Sequence, residues 1–306
     1  MSDLWDFLRG ALMTKALAAV VDAGVPEALA DGPRPVSELR GDEDTLYRLL
    51  RALASDGVFH ETEPRLFEHT ERSRLLLAPG WSEFAHLFGG VFFEAAADLD
   101  AATAEATFPQ RFGAGYWEWL ARHPDERAVF DAAMAGERGE PAERLAALEW
   151  REGEVVVDVG GGNGALLAEL TRRRPELRGI VFDLPETVRD EAALGDRVDF
   201  AAGSFFESVP AGDAYLLSGV LHDWGDDDAT RILHTIRTAA PAHARLLINE
   251  SVIRPGNDPD GAKWLDLLML VLAGGRERSE EQWRALLDAG GFRVESLDSP
   301  IVATCR

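Results

Sequence analysis

The hydrophobic period of the chain changes near residue 150, and no single layer of one element type can satisfy both halves. After that point five short apolar runs, VVVDV (155–159), GIVFD (179–183), VDFAAG (198–203), YLLSGVL (215–221) and ARLLINE (244–250), alternate with helical stretches. This alternation predicts an α/β fold, a parallel sheet with crossover helices. The last runs, FRVESL (292–297) and IVATC (301–305), are linked only by Asp298, Ser299 and Pro300. So short a link makes them a hairpin, and an antiparallel edge closes the sheet. We place the boundary between Trp150 and Gly153, giving domains 1–150 and 151–306.

The first half reads as helices. Leu4, Leu8, Leu12, Ala16, Ala19 and Ala23 recur at three- and four-residue spacing until Gly24 and Pro26 stop the segment. In the next segment Ser37 and Asp42 are candidate N-caps, Leu46, Leu49, Leu50 and Leu53 form an apolar face, and Gly57 suits a C-terminal cap. Two β-like runs then turn around Thr62, Glu63 and Pro64. Helix, helix, hairpin is the order of a winged helix. Residues 81–148 read as helical again, with breaks expected at Pro109, 113–115, Pro124 and 136–141.

A formal net charge of −23 repels polyanions over the whole surface, which argues against a nucleic-acid partner. In the winged helix the recognition segment offers only Arg48 and Arg51 against Asp42, Glu43, Asp44 and Asp56, too little positive charge for a DNA-binding regulator. Cys305 is the single cysteine and can form no internal bridge. Asp3, Asp6 and Lys15 are unlike a secretory leader, and no apolar run approaches a membrane span. The expectation is a soluble cytoplasmic protein.

Directly after VVVDV comes Gly160-Gly161-Gly162-Asn163-Gly164, followed by the helical ALLAELTRRR. Glycines at 160, 162 and 164 let the backbone turn tightly and approach a bound molecule closely. Asp183 ends the next strand, where a carboxylate can accept from both hydroxyls of an adenosine ribose. Two cofactors fit this layout. A dinucleotide fingerprint can be written through Gly160 and Gly162 with Ala165 in place of its last glycine. The S-adenosylmethionine pattern D-x-G-x-G-x-G, with its acid inside the strand, is matched at every position by Asp158, Gly160, Gly162 and Gly164. The second match is the fuller, and acidic surroundings suit the cationic amino group of that methyl donor.

VVVDVGGGNG, VFDLPETV, GVLHDWGDDDATRIL, LLINESVI and LDLLMLVLAGGRERSEEQW carry a resemblance that spans nearly the whole chain. The sequence resembles the caffeate-type O-methyltransferases of plants and their bacterial counterparts in natural-product pathways. The resemblance implies a class I Rossmann-like domain with a mostly parallel seven-stranded sheet, preceded by a winged-helix dimerisation domain. It implies S-adenosyl-L-methionine as donor, S-adenosyl-L-homocysteine (SAH) as product, no metal, and a homodimer formed through the N-terminal domain.

His222 follows YLLSGVL, at the edge where open α/β sheets bind ligands. A histidine there can also be a capping or surface residue, but neutral imidazole suits removal of a hydroxyl proton near pH 7. The resemblance carries the general base onto His222 and two carboxylates that orient it onto Glu250 and Glu277. For Glu277, a solvated charge between Arg276 and Arg278 stays open. Trp224 resembles the residue that stacks on the cofactor, Asp223 one that borders the acceptor, and Phe205 and Ser218 match cofactor positions of the bacterial members. Phe130, Met134 and Met269 match acceptor positions, with core packing the alternative for the methionines. Phe92, Phe93, Phe112 and Trp117 add to an apolar, aromatic-compatible pocket. Asp226, Asp227 and Asp228 read as a solvated helix N-terminus. Ser204 departs from the family, where an acidic residue often receives the adenine amino group; a hydroxyl can accept there without charge. The implied activity is methyl transfer to a hydroxyl of a small aromatic or polyketide-like metabolite. The alternative is the same fold and cofactor turned to decarboxylation, hydroxylation or cyclisation.

Overall fold

The computed structural model describes residues 3–103, 105–136, 139–187 and 194–306. Its contacts divide the chain into two compact units, Met1–Asp98 with Ala128–Gly136, and Leu99–Arg127 with Glu137–Arg306. These divisions differ from a single break near residue 150. The helix Gly139–Ala146 belongs with the sheet because it buries Ala142 and Leu145 among Leu166, Leu167 and Leu170.

In the first unit the helix Asp3–Asp22 is followed by the helix Glu43–Ser55, whose cap is Asp42, accepting from the Thr45 N–H at 2.9 Å. Ser37 instead lies inside the short 3-10 turn Val36–Glu38. The hairpin pairs β2 (Phe59–Glu63) with β3 (Leu66–His69), and a third short strand, β1 (Arg34–Pro35), lies on the other side of β3. Leu46, Leu50, Leu53, Phe59 and Phe67 share one buried core, so the apolar face read from the sequence is the one the hairpin covers.

The second unit carries β4 (Val155–Val159), β5 (Arg178–Asp183), β6 (Val198–Ala202), β7 (Ala214–Ser218), β8 (Arg245–Asn249), β11 (Phe292–Ser296) and β12 (Ile301–Cys305), in the order β11-β12-β8-β7-β4-β5-β6. The first five are parallel, while β12 is antiparallel to both β8 and β11. Successive strand residues point to opposite faces, and here both faces are covered. Val157, Tyr215, Leu217, Leu246 and Ile248 enter one core with Trp283, and Val156, Leu216 and Leu247 enter the other. Burial on both sides is why these strands read as continuous apolar runs.

Two local expectations shift. Pro109 does not break a helix but sits in the first turn of Thr107–Phe112, where the N–H it lacks would have no intrahelical partner. YLLSGVL stops being a strand at Ser218; Gly219 takes φ +66° and Leu221–Asp223 forms a 3-10 turn. A further parallel pair, β9 (Val252–Ile253) with β10 (Arg278–Ser279), brings the chain after Glu250 beside the chain after Glu277.

Candidate active site

The chain leaves β4 and moves outward through β5 and β6, then returns to β7 on the other side of β4. The glycine loop after β4 and the His222 turn after β7 therefore flank the position where strand order reverses, the usual ligand crevice of open α/β sheets.

Gly160, Gly162 and Gly164 all adopt left-handed φ, at +71°, +58° and +80°. At Gly162 an added Cβ would meet nothing within 4 Å, so the bare backbone borders open space. Its N–H donates to Asp183 Oδ2 at 2.8 Å. Asp183 Oδ1 accepts from the Leu184 N–H at 2.7 Å and the Thr187 hydroxyl at 2.6 Å, and the buried Arg127 donates to that hydroxyl at 2.8 Å. A carboxylate has about four lone-pair sites, so Asp183 is locked in place with acceptor capacity left for a ribose. Thr187 and Arg127 were not read from the sequence. Asp158 is buried, with its carboxylate directly beneath Gly161, so it supports the loop from inside the strand.

Phe205 and Phe206 meet Trp224 edge-on, at ring separations of 5.9 and 4.8 Å, which ties the segment after β6 to the His222 turn. Ser204 Oγ accepts from its own turn, the Phe206 N–H, at 3.3 Å. Ser218 accepts from Asn249 Nδ2 at 2.9 Å, and Asn249 Oδ1 in turn accepts from Arg144 at 3.4 Å. Arg144 Nε is buried with no hydrogen-bond partner among the described residues. This orphaned donor at the carboxyl end of the sheet, together with the open face at Gly162, fits a ligand that carries a carboxylate beside a ribose.

His222 is enclosed by carboxylates. Glu277, whose side chain is fully buried, places Oε1 2.6 Å from His222 Nδ1. Asp223 Oδ1 is 3.7 Å from Nε2, beyond hydrogen-bond reach, and Nε2 bonds to no described residue. Glu250, the other carboxylate expected to orient the ring, acts on it differently from Glu277. Its Oε1 accepts from the Val220 and Leu221 N–H groups at 3.0 and 2.7 Å, holding the backbone that carries His222, and it reaches the ring through its charge. Burial alone would push the imidazole down, but Asp223, the Glu277 hydrogen bond and Glu250 outweigh it and raise His222 to about 10. Burial also pushes the Asp223 carboxyl up to about 7, against the pull of His222, and raises Glu250.

The loop Gly274–Arg278 completes the enclosure. Gly275 lies so close to the His222 turn that an added Cβ would overlap the His222 carbonyl and the Asp223 backbone. The Arg276 N–H donates to that same carbonyl at 2.8 Å. Glu277 is therefore no solvated charge, and Arg278 beside it is fully buried as well.

Family models describe the same chain: an O-methyltransferase domain matches residues 92–293 and an O-methyltransferase dimerisation domain matches residues 5–79. The chain belongs to the O-methyltransferase family. It is 38% identical to the phenazine O-methyltransferase PhzM of Lysobacter antibioticus, over 96% of this chain and 91% of the relative. The crystal structure of LaPhzM superposes with a TM-score of 0.92 at 37% identity, covering 99% and 98% of the two chains. The SAH-bound form of CalO1, a methyltransferase of calicheamicin biosynthesis, superposes at 0.78 with 30% identity over both whole chains.

For an O-methyltransferase the two needs are a donor site and a base at the acceptor oxygen. The structure brings together His222, Asp223, Glu250 and Glu277, and the Gly160–Gly164 loop with Asp183. Met269 is buried on the helix Gly261–Ala273 of the second unit. Phe112 stacks on Phe108 in an aromatic cluster of that unit. Phe130 and Met134 lie one turn apart, half-buried, on Pro124–Ala135 in the first unit.

Proposed function

We propose that this O-methyltransferase uses His222 to take the proton from an acceptor hydroxyl. The supporting observation is the 2.6 Å contact from Glu277 Oε1 to Nδ1, which fixes the ring and leaves Nε2 free of hydrogen bonds to described residues. A carboxylate on the far nitrogen sets the tautomer whose Nε2 is the acceptor and stabilises the imidazolium that forms.

S-adenosylmethionine, when bound, supplies an electrophilic methyl and leaves as the neutral thioether. Asp183 and the Gly162 backbone would hold its ribose, Phe205 and Trp224 its flat ring, and Ser218 with Arg144 its charged amino-acid end. Ser204 accepts from the Phe206 N–H and keeps a second lone pair with which to accept from the adenine, without charge. The acceptor is a small aromatic or polyketide-like metabolite, for which Met269 and Asp223 of the second unit are candidate contacts; Phe130 and Met134 of the first unit are candidates by resemblance. Two chains pair through the dimerisation domain. Among the described residues no helix is long and apolar enough to cross a membrane, and the single cysteine accords with a reducing, cytoplasmic setting.

His222→Gln tests the base. Methyl transfer should collapse while calorimetry shows SAH binding as in the parent; near-parent turnover in the variant would refute the assignment.

A further inference from the structure

We infer that Arg278 is the positioning residue that sets the geometry of the His222–Glu277 pair, an inference that rests on His222 as the base. Its guanidinium is completely buried, yet among the described residues it meets only one carboxylate. Nη1 donates to the Leu221 carbonyl at 2.9 Å and, at 3.5 Å, to that of Arg276. Nη2 donates to the Trp224 carbonyl at 2.8 Å and to Asp226 Oδ1 at 3.0 Å, and Nε to the same oxygen at 3.1 Å.

Leu221 and Trp224 bracket His222 and Asp223, so one rigid fork grips the turn on both sides of the base. Arg278 also adjoins Glu277 in the chain. The same residue thus fixes both partners: its backbone carries the carboxylate, and its side chain holds the turn that carries the imidazole. The guanidinium lies 5.4 Å from the centre of the buried Trp283 ring, whose Nε1 donates to the carbonyl of Ser251, the residue after Glu250. Glu250 holds the Val220 and Leu221 N–H groups from the opposite side. The turn is therefore clamped by its carbonyls from the Arg278 side and by its N–H groups from the Glu250 side.

Arginine is required by geometry. Two carbonyls and a carboxylate spread around a planar fork match its fixed donors, whereas an ammonium is a point charge on a flexible stem. Among the described residues Asp226 adds the only counter-charge, and it is itself half exposed. A displacement of about 1 Å at a reacting group can cost on the order of 100-fold in rate.

Arg278→Met, Arg278→Lys and Asp226→Ala, each checked by circular dichroism and thermal melting, test this through the pH profile of kcat. Arg278→Met should lower kcat by about 100-fold and move the inflection of the profile down toward the ordinary imidazole value, since a loosened turn weakens the Glu277 contact. Arg278→Lys should restore part of both effects. Asp226→Ala should move the profile in the same direction by less. A folded Arg278→Met with the parent profile, or with kcat lost only in proportion to the unfolded fraction, overturns the inference. If that variant does not fold, Asp226→Ala decides: an unmoved profile overturns it as well. Survival of turnover in His222→Gln would instead remove the base assignment, whatever the Arg278 variants show.

Discussion

Glu277 Oε1 stands 2.6 Å from His222 Nδ1, and the glutamate side chain is entirely shielded from water. A charge-assisted contact of this kind does more than hold a ring, since it stabilises the imidazolium that proton abstraction creates. Glu277→Gln keeps the shape and removes the charge. It should reduce kcat by roughly 10²–10⁴-fold, the range for a lost general base, with little change in SAH affinity by calorimetry. A variant within a few-fold of the parent would show that the contact is structural only.

The same pair sets the direction of the pH response. In the role we propose, His222 can take a proton only when neutral, and its carboxylate neighbours hold the protonated form up to about 10. Activity in the parent should therefore rise with pH through the neutral and alkaline range rather than level off just above 6.5. Removing a raising charge must move that rise to lower pH. Asp223→Asn and Glu277→Gln should each do so in a kcat/KM–pH profile, and a shift to higher pH would contradict the cage described for His222.

Features whose cause is local were legible in the sequence. Asp42 as an N-cap, the VVVDV strand running into the glycine loop, and the short-linked terminal hairpin each depend on a few neighbouring residues. Features that depend on distant partners were not. YLLSGVL reads as strand throughout, but the N–H groups of Val220 and Leu221 are taken by Glu250, a residue on another strand's end. Arg276 and Arg278 look alike in GGRER, yet one is half exposed and the other fully buried, because Arg278 enters the short strand paired with Val252 while Arg276 lies before it. Asp226, read as part of a solvated helix start, is the counter-charge of that buried arginine. The resemblance named the candidate residues; only packing distinguished a carboxylate on the ring from one on the backbone beneath it.

Asp183, the ribose acceptor we propose, is a carboxylate already oriented by Gly162, Leu184 and Thr187. Hydrogen bonds to a charged group contribute about 1.5–3 kcal/mol each, so Asp183→Ala should weaken SAH binding by at least ~10-fold. Thr187→Val removes one of the fixing bonds and leaves the carboxylate, so its effect should be smaller and in the same direction. Calorimetric titration with SAH separates the two. Equal affinities in parent and Asp183→Ala would place the ribose elsewhere.

The helix Asp3–Asp22 differs along its length. Ala18 and Val20 are buried within the first unit, but Leu4, Phe7, Leu8 and Leu12 are each at least two-thirds exposed. Four large apolar side chains on one helix make a patch that monomeric proteins rarely leave in water. The dimerisation-domain model covers three of them, from residue 5 onward, which makes a second copy of this chain the occupant we propose. Burying each would contribute about 1.5–3 kcal/mol, so charges at two of them should outweigh the gain from the rest. The double variant Phe7→Asp, Leu8→Asp should sediment as a folded monomer where the parent sediments as a dimer, because neither side chain serves the core of its own unit. A parent that sediments as a monomer at micromolar concentration would remove the homodimer and leave the patch to another partner.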